Sequence, residues 1–287
     1  MLPIVVAPIV AQVSQAPVSE RAMLGERIDG IVRSAHVATG GDLGIVIWDM
    51  ETDVLFERNS DEAFPLAGLM RLAVALTAYR AVDAGTLALD APITQSSGST
   101  TVRDALARSL SLDDRSATDV LYHAVGGTDA IDTALRTAGF DGMLIRTDEA
   151  GLGLDESAKR TFARGGDNAG SPAAVALLLA ELARGEILSD ASRRAFIGAL
   201  LHASGGGANG LAAGLPAGTR LAHISGTSPR FDNVRDACND AGIAQINGRN
   251  VVIVAMLANA RVTRKQCDAI LAQVARTAWA ASADVIP

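Results

Sequence analysis

From residue 20 to 39 apolar side chains return every three or four positions, with Leu24, Ile28, Ile31, Val32 and Ala35 on one side, which is the spacing of an amphipathic helix. After Gly40 and Gly41 the period shortens: DLGIVIWDMETDVLFERN reads as two strands joined by a turn at Glu51, Thr52 and Asp53. A long helical block follows. LMRLAVALTAYRAVDAG, TVRDALARSLSL, SATDVLYHAVGGTDAIDTALRTAG and SPAAVALLLAELARG all carry the 3.6-residue period, with Gly85, Gly139 and Gly185 as C-terminal stops. The strand pattern then returns in TRLAHISGTS, DACNDAGIAQING and NVVIVAMLA, the last two joined by an Asn247-Gly248 hairpin signal, before a closing helix, TRKQCDAILAQVARTAWAA. Two strands first, three last and helices between predict an α+β fold, in which an antiparallel sheet of five strands is assembled from both chain ends around an all-helical insertion.

This pattern divides the chain into residues 1–17 and a domain over 18–287, with a mixed part at about 18–60 and 215–287 and a helical part at about 61–214. The first 17 residues, MLPIVVAPIVAQVSQAP, are apolar and end near a small-residue cleavage pattern, Ser-Gln-Ala, but lack a basic start, and we read them as an incomplete export signal. A merely apolar tail is the other reading. The run is too short and too broken by Pro8 to span a bilayer, so the expectation is a monomeric periplasmic or secreted protein with no membrane span. A net charge of -7 without any Lys/Arg cluster argues against a nucleic-acid partner. Aromatic residues are only 3%, so stacking platforms for bases or sugars are not expected. Cys238 and Cys267 are too few for a zinc site and read as small core residues or as one disulfide. His36, His123 and His202 show no ligand spacing, and the chain is expected to use neither metal nor cofactor. Ser204-Gly205-Gly206-Gly207 is a loop signal, not a phosphate cradle, because no strand leads into it and no Lys-Ser/Thr follows.

Between about residues 20 and 282 the chain resembles the class A β-lactamases and the related penicillin-recognising serine hydrolases. LGIVIWDMETDVLFERNSDEAFPLAGLMRL is similar to that family's first hairpin, its Phe-Pro entry and the helix that carries its Ser-x-x-Lys. DDRSATDVLYHAVGG resembles the segment bearing Ser-Asp-Asn, RTDEAGLG the glutamate-bearing loop, LARGEILSDASRRAF the following helix pair, and LPAGTRLAHISGTS the strand with Lys-Thr-Gly. The resemblance implies a β-lactamase-like fold. It does not carry activity with it.

The departures fall on the chemistry. Where the family places its serine nucleophile and its lysine, this sequence has Gly68 and Arg71. Glycine has no nucleophile, and an arginine guanidinium, which stays protonated, is no base at neutral pH. The Ser-Asp-Asn positions are Asp113, Asp114 and Arg115, and Lys-Thr-Gly becomes Ile224, Ser225 and Gly226, which removes the cation expected to hold a substrate carboxylate. SSGSTTVRDAL reaches the next helix in far fewer residues than the family uses there.

Glu149 matches the family's deacylation base, though the asparagine that accompanies it there is Gly153 here. The backbone N–H groups of Gly68 and Thr227 match the oxyanion hole and need no particular side chain, so they remain candidates for a carboxylate- or carbonyl-bearing ligand. Arg71 and Arg115 set against Asp113, Asp114 and Glu149 suggest an internal ion-pair network. Ser225, Thr227 and Ser228 add hydroxyls without a base, since alternation turns His223 away from Ile224 and a lone strand histidine is more often a packing residue.

Three readings stay open. The chain is a pseudoenzyme binding a small molecule or partner in the former cleft, a hydrolase in which Glu149 activates water directly or a residual β-lactamase, or a structural or interaction protein whose cleft is collapsed and filled by Arg71 and Ile224.

Overall fold

A computed structural model describes residues 18–95, 98–152, 168–203, 209–231 and 233–283. The expected export signal at 1–17, Gly153 and the Ser204–Gly207 run lie outside the described residues.

Helix α1 (Val18–Thr39) leads into β1 (Asp42–Asp49) and β2 (Val54–Arg58), the hairpin expected from the alternating pattern. The carboxylate of Asp49 accepts the N–H groups of Glu51 and Thr52, which fixes that turn locally. At the other chain end β8 (Arg220–Thr227), β10 (Val234–Ile246) and β11 (Arg249–Ala260) follow in antiparallel order, with the two-residue β9 (Arg230–Phe231) beside the start of β10. Asn247 and Gly248 both take positive φ, 51° and 79°, as a tight hairpin between right-twisted strands requires. The main path of the sheet is β2-β1-β11-β10-β8, so the two termini meet where β1 pairs with β11. β8 lies at the edge that faces the helical insertion.

The insertion contains α2 (Met70–Asp83), the hairpin β4 (Pro92–Gln95) and β5 (Gly98–Thr101), α3 (Val102–Leu112), α4 (Arg115–Ala124), α5 (Gly127–Thr137), α6 (Pro172–Arg184) and α7 (Asp190–Leu201). The run read as one helix over SATDVLYHAVGGTDAIDTALRTAG divides at Gly126 into α4 and α5. A small sheet of β3 (Phe64–Pro65), β6 (Met143–Leu144) and β7 (Ala169–Gly170) ties the start of α2 to the segment before α6.

Two apolar clusters hold the layers together. On one face of the sheet α1 and α8 (Arg264–Ala283) bury Ile28, Ile31 and Leu271 against Ile253 and Leu257. On the other face Val252, Val254, Met256 and Ile224 join a core shared with α2, α3 and α6, so the helical part and the sheet have one continuous interior. Helix α2 runs through its centre and is buried from Met70 to Tyr79. Each fully buried leucine there, such as Leu72 or Leu76, stabilises the fold by about 2 kcal/mol through transfer from water. That placement matters because Arg71 sits on this helix.

Candidate functional site

The chain enters α2 through a single 3-10 turn, Ala67–Leu69, with no side-chain cap. Ala67 has a φ of 46°, a left-handed conformation that costs a non-glycine residue on the order of 1 kcal/mol. The turn lies directly against edge strand β8. A Cβ placed on Gly68 would stand 2.6 Å from the carbonyl oxygen of Ser225, and one placed on Gly226 would stand 2.6 Å from the nitrogen of Gly68 and 2.8 Å from the oxygen of Leu66. Backbone meets backbone here because neither residue carries a side chain. Asn239 on β10 fastens the contact by donating its side-chain amide to the carbonyls of Pro65 (2.7 Å) and Leu66 (3.1 Å), and its own amide oxygen is buried without a partner. The backbone nitrogen of Gly68, one of the two groups expected to form an anion pocket, therefore lies close against β8.

One turn into α2, Arg71 is 3% exposed, a burial that a guanidinium tolerates only with partners. Its Nε donates to Oε1 of Glu149 at 2.5 Å, and its Nη1 pairs with Asp113. Glu149 is itself buried. Its second oxygen accepts from Nε of Arg115 at 3.0 Å, and Nη2 of Arg115 donates to the Glu149 carbonyl at 2.9 Å. Both oxygens of the glutamate are thus held by guanidinium groups. The expected network forms from Arg71, Asp113, Arg115 and Glu149. Asp113 reaches it from the end of α3, where a φ of 58° turns the chain.

Asp114 is a correction to that network. It caps α4 by accepting the Ala117 N–H at 3.0 Å and pairs with Arg108, whose Nε donates to it at 2.9 Å. The reason is local: a helix N-terminus offers unpaired N–H groups to the preceding aspartate, and that demand fixes the side chain before any longer-range partner reaches it. Burial pushes the Asp114 carboxyl up, but the Ala117 N–H and Arg108 outweigh it and hold it below its ordinary value.

Sequence reasoning missed Asp119. From α4 its carboxylate accepts the N–H groups of Glu149 (2.6 Å) and Ala150 (3.2 Å), orienting the loop that carries the glutamate. Burial is the main force raising the Asp119 carboxyl above its usual range, and the neighbouring charges of Asp148 and Glu149 add to it against the two N–H groups. The available signal was its spacing of four residues from Arg115, which puts both on one side of a helix.

Ile224, at the place of the family lysine, is 3% exposed and belongs to the core. Among the described residues Arg71, Asp113, Ile224 and Ser225, with others, line a cavity of about 10 Å³, room for roughly one water. The neighbouring hydroxyls are engaged: Thr227 Oγ1 accepts from Arg264 at 2.9 Å, and Ser228 Oγ donates to the Pro229 carbonyl and accepts the Ala237 N–H, both at 3.0 Å. His223 corrects its reading as a plain packing residue. Its Nδ1 lies 2.8 Å from Oδ1 of Asp240, both are buried, and the other Asp240 oxygen accepts the Leu211 N–H at 2.9 Å. Burial pulls the His223 imidazole down, but the charge and hydrogen bond of Asp240 prevail and its pKa is raised. Of the two readings for the cysteines, the disulfide is the one found: Cys238 on β10 is bonded to Cys267 on α8. Among the described residues no group of three or more His, Cys, Asp or Glu is arranged to hold a metal ion, and no helix is long and apolar enough to cross a membrane.

The comparisons with known proteins agree with this architecture. The chain is 25% identical over 263 residues to Beta-lactamase VEB-1 of Pseudomonas aeruginosa, covering 84% of this chain and 86% of that protein. It is 27% identical over 280 residues to the Extended-spectrum beta-lactamase PER-1 of the same organism, covering 90% and 86%. The crystal structure of a beta-lactamase from Chitinophaga pinensis superposes with a TM-score of 0.81 at 25% identity, over 90% of this chain and 99% of that one. The profile of the beta-lactamase enzyme family matches residues 23–282, and the chain belongs to that family.

Proposed function

We propose that this chain is a non-hydrolytic member of the β-lactamase family, one that acts by binding and in which the former catalytic cluster has become a structural ion-pair network. The observation that carries this reading is the arrangement around Arg71. Acyl transfer through a covalent intermediate needs a nucleophile and a base beside it, and Gly68 and Arg71 supply neither. Glu149, with one oxygen on Arg71 and the other on Arg115, is engaged on both sides as the anion of a buried ion-pair network, which weighs against its use to activate water directly.

Between a ligand in the old cleft and a filled cleft, the contact of Gly68 with Ser225, the buried Ile224 and the cavity of about 10 Å³ favour the filled one. Partners would then engage other surfaces of a monomer. The Cys238–Cys267 disulfide supports an oxidising compartment, the periplasm or the exterior.

Purified protein mixed with a chromogenic cephalosporin and with benzylpenicillin tests this. The expected outcome is no burst and no mass increase in the intact protein. A stoichiometric acyl adduct, or steady turnover above the buffer rate, would overturn the reading.

A further inference from the structure

The same strand that is closed at its C-terminal end leaves a cavity at its N-terminal end. The register of the sheet builds it row by row. Arg220 of β8, Gln245 of β10 and Asn250 of β11 form one row across three strands, and Ala222, Ile243 and Val252 form the row two residues further in on the same face. The first row is polar and the second apolar. Helix α7 covers both from above with Arg193, Ile197 and Leu201, but Ala222 is too small to fill the space beneath it, and a cavity of about 200 Å³ remains.

The chemistry of its wall is one-sided. Among the described residues no carboxylate lines it, and two guanidinium groups do. Among the described residues Arg220 has no hydrogen-bond or ion-pair partner. Arg193 makes only two long contacts, 3.4 Å each to the Ala183 carbonyl and to Asp190, and its Nε is buried without a partner. The carboxylate of Glu51 is taken up by the N–H and side-chain amide of Asn250 at 2.8 and 3.0 Å. Positive charge at the mouth is therefore under-compensated, while the floor of Ala222 and Ile243 is buried and apolar. A bound carboxylate would answer both guanidinium groups, and an apolar tail would cover the floor.

We propose that this cavity is a binding site for a small amphipathic carboxylate, an aryl- or alkyl-acetate with room for roughly ten non-hydrogen atoms at ordinary packing density. The site is separate from the Arg71 cluster and does not depend on whether that cluster is inert. A neutral molecule of the same shape leaves the arginines unpaired. A carboxylate without a tail leaves the floor wet.

Phenylacetate, phenylacetamide and acetate distinguish these terms when titrated into the isotopically labelled full chain and followed by amide chemical shifts. Phenylacetate is expected to bind with a Kd on the order of 1 mM, a realistic affinity for so small a ligand. Shifts should centre on Ala222, Ile243 and Ile197, and both phenylacetamide and acetate should bind at least about tenfold more weakly. Arg220→Gln, at an exposed and unpartnered position, should leave the fold intact and weaken phenylacetate about tenfold. Ile197→Phe, at a half-buried position, should fill the cavity and abolish the shifts. Three outcomes would each overturn the proposal: no saturable shift with phenylacetate, equal binding of phenylacetamide, or shifts centred on Gly68 and Ser225 that neither variant alters.

Discussion

A buried ionisable group lies on each side of strand β8, Arg71 from α2 on one and His223 of the strand itself on the other, and the two are built differently. Toward the helices Arg71 is held by Glu149 and Asp113, and toward α8 His223 is held by Asp240. A guanidinium keeps its proton throughout the range in which a protein is folded, so the first group is a permanent ion pair. An imidazole titrates near neutrality, so the second is conditional. The fastening around them differs as well. The α8 face is stapled covalently by Cys238 and Cys267, only two residues along β10 from Asp240, whereas the helical face relies on the ion pairs and on the Asn239 hydrogen bonds. Buried charge on the helical side is paired at every pH at which the protein folds, as the proposed structural role requires. On the α8 side it remains responsive to pH.

Removing the staple should produce the largest effect. The bond closes a loop with a separation of 29 residues, and opening such a loop in the unfolded chain corresponds to about 3.5 kcal/mol. Urea unfolding of Cys238→Ala/Cys267→Ala is expected to lose about that much, and an unchanged midpoint would remove the covalent half of the comparison.

Next comes Arg71→Ala, expected to cost about 3 kcal/mol because Glu149 stays buried with one oxygen unanswered. The sharper test is the pair Arg71→Met/Glu149→Leu. If the ions are scaffold, apolar replacements of similar size should cost less than the single change, since Asp113 and Arg115 are both more than half exposed and turn to water. A double variant less stable than Arg71→Ala would show that the charge itself is required.

A smaller, pH-dependent effect belongs to His223. Its folded-state pKa is raised, so its contribution is fully present below the unfolded value of about 6.5 and is lost as pH rises through the higher folded value. Thermal unfolding between pH 6 and pH 9 should show stability declining through this contribution, and His223→Gln should flatten the decline. An identical slope in wild type and variant would assign it to other groups.

Which of these features were legible in the sequence follows from how far their causes reach along the chain. The Asn247-Gly248 hairpin and the order of strands and helices depend on neighbours within a few residues, and periodicity exposes them. The cap made by Asp114 is equally local, yet the resemblance drew it into the catalytic segment, and the helix N-terminus claimed it instead. The pairing of Arg71 with Glu149 spans 78 positions and was suggested only because related chains bring those positions together. The His223–Asp240 pair had no such guide. Alternation gave the face of His223, but its partner depends on the register between β8 and β10, which no local pattern encodes. The cysteine spacing was equally silent about the bond between β10 and α8.

The proposed function requires that the helical side of β8 lacks the room for catalysis as well as the groups that perform it. Gly68→Ser with Arg71→Lys returns a nucleophile and a titratable amine, but the new Cβ would sit 2.6 Å from the Ser225 carbonyl oxygen, and Ile224 still offers no cation for a substrate carboxylate. Groups that act as a unit restore little when returned in part. Intact mass spectrometry of this double variant, taken from the folded fraction and incubated with benzylpenicillin, is predicted to show only the unmodified mass. A stoichiometric acyl adduct would contradict the account, because it would mean that turn and strand still part to admit the substrate.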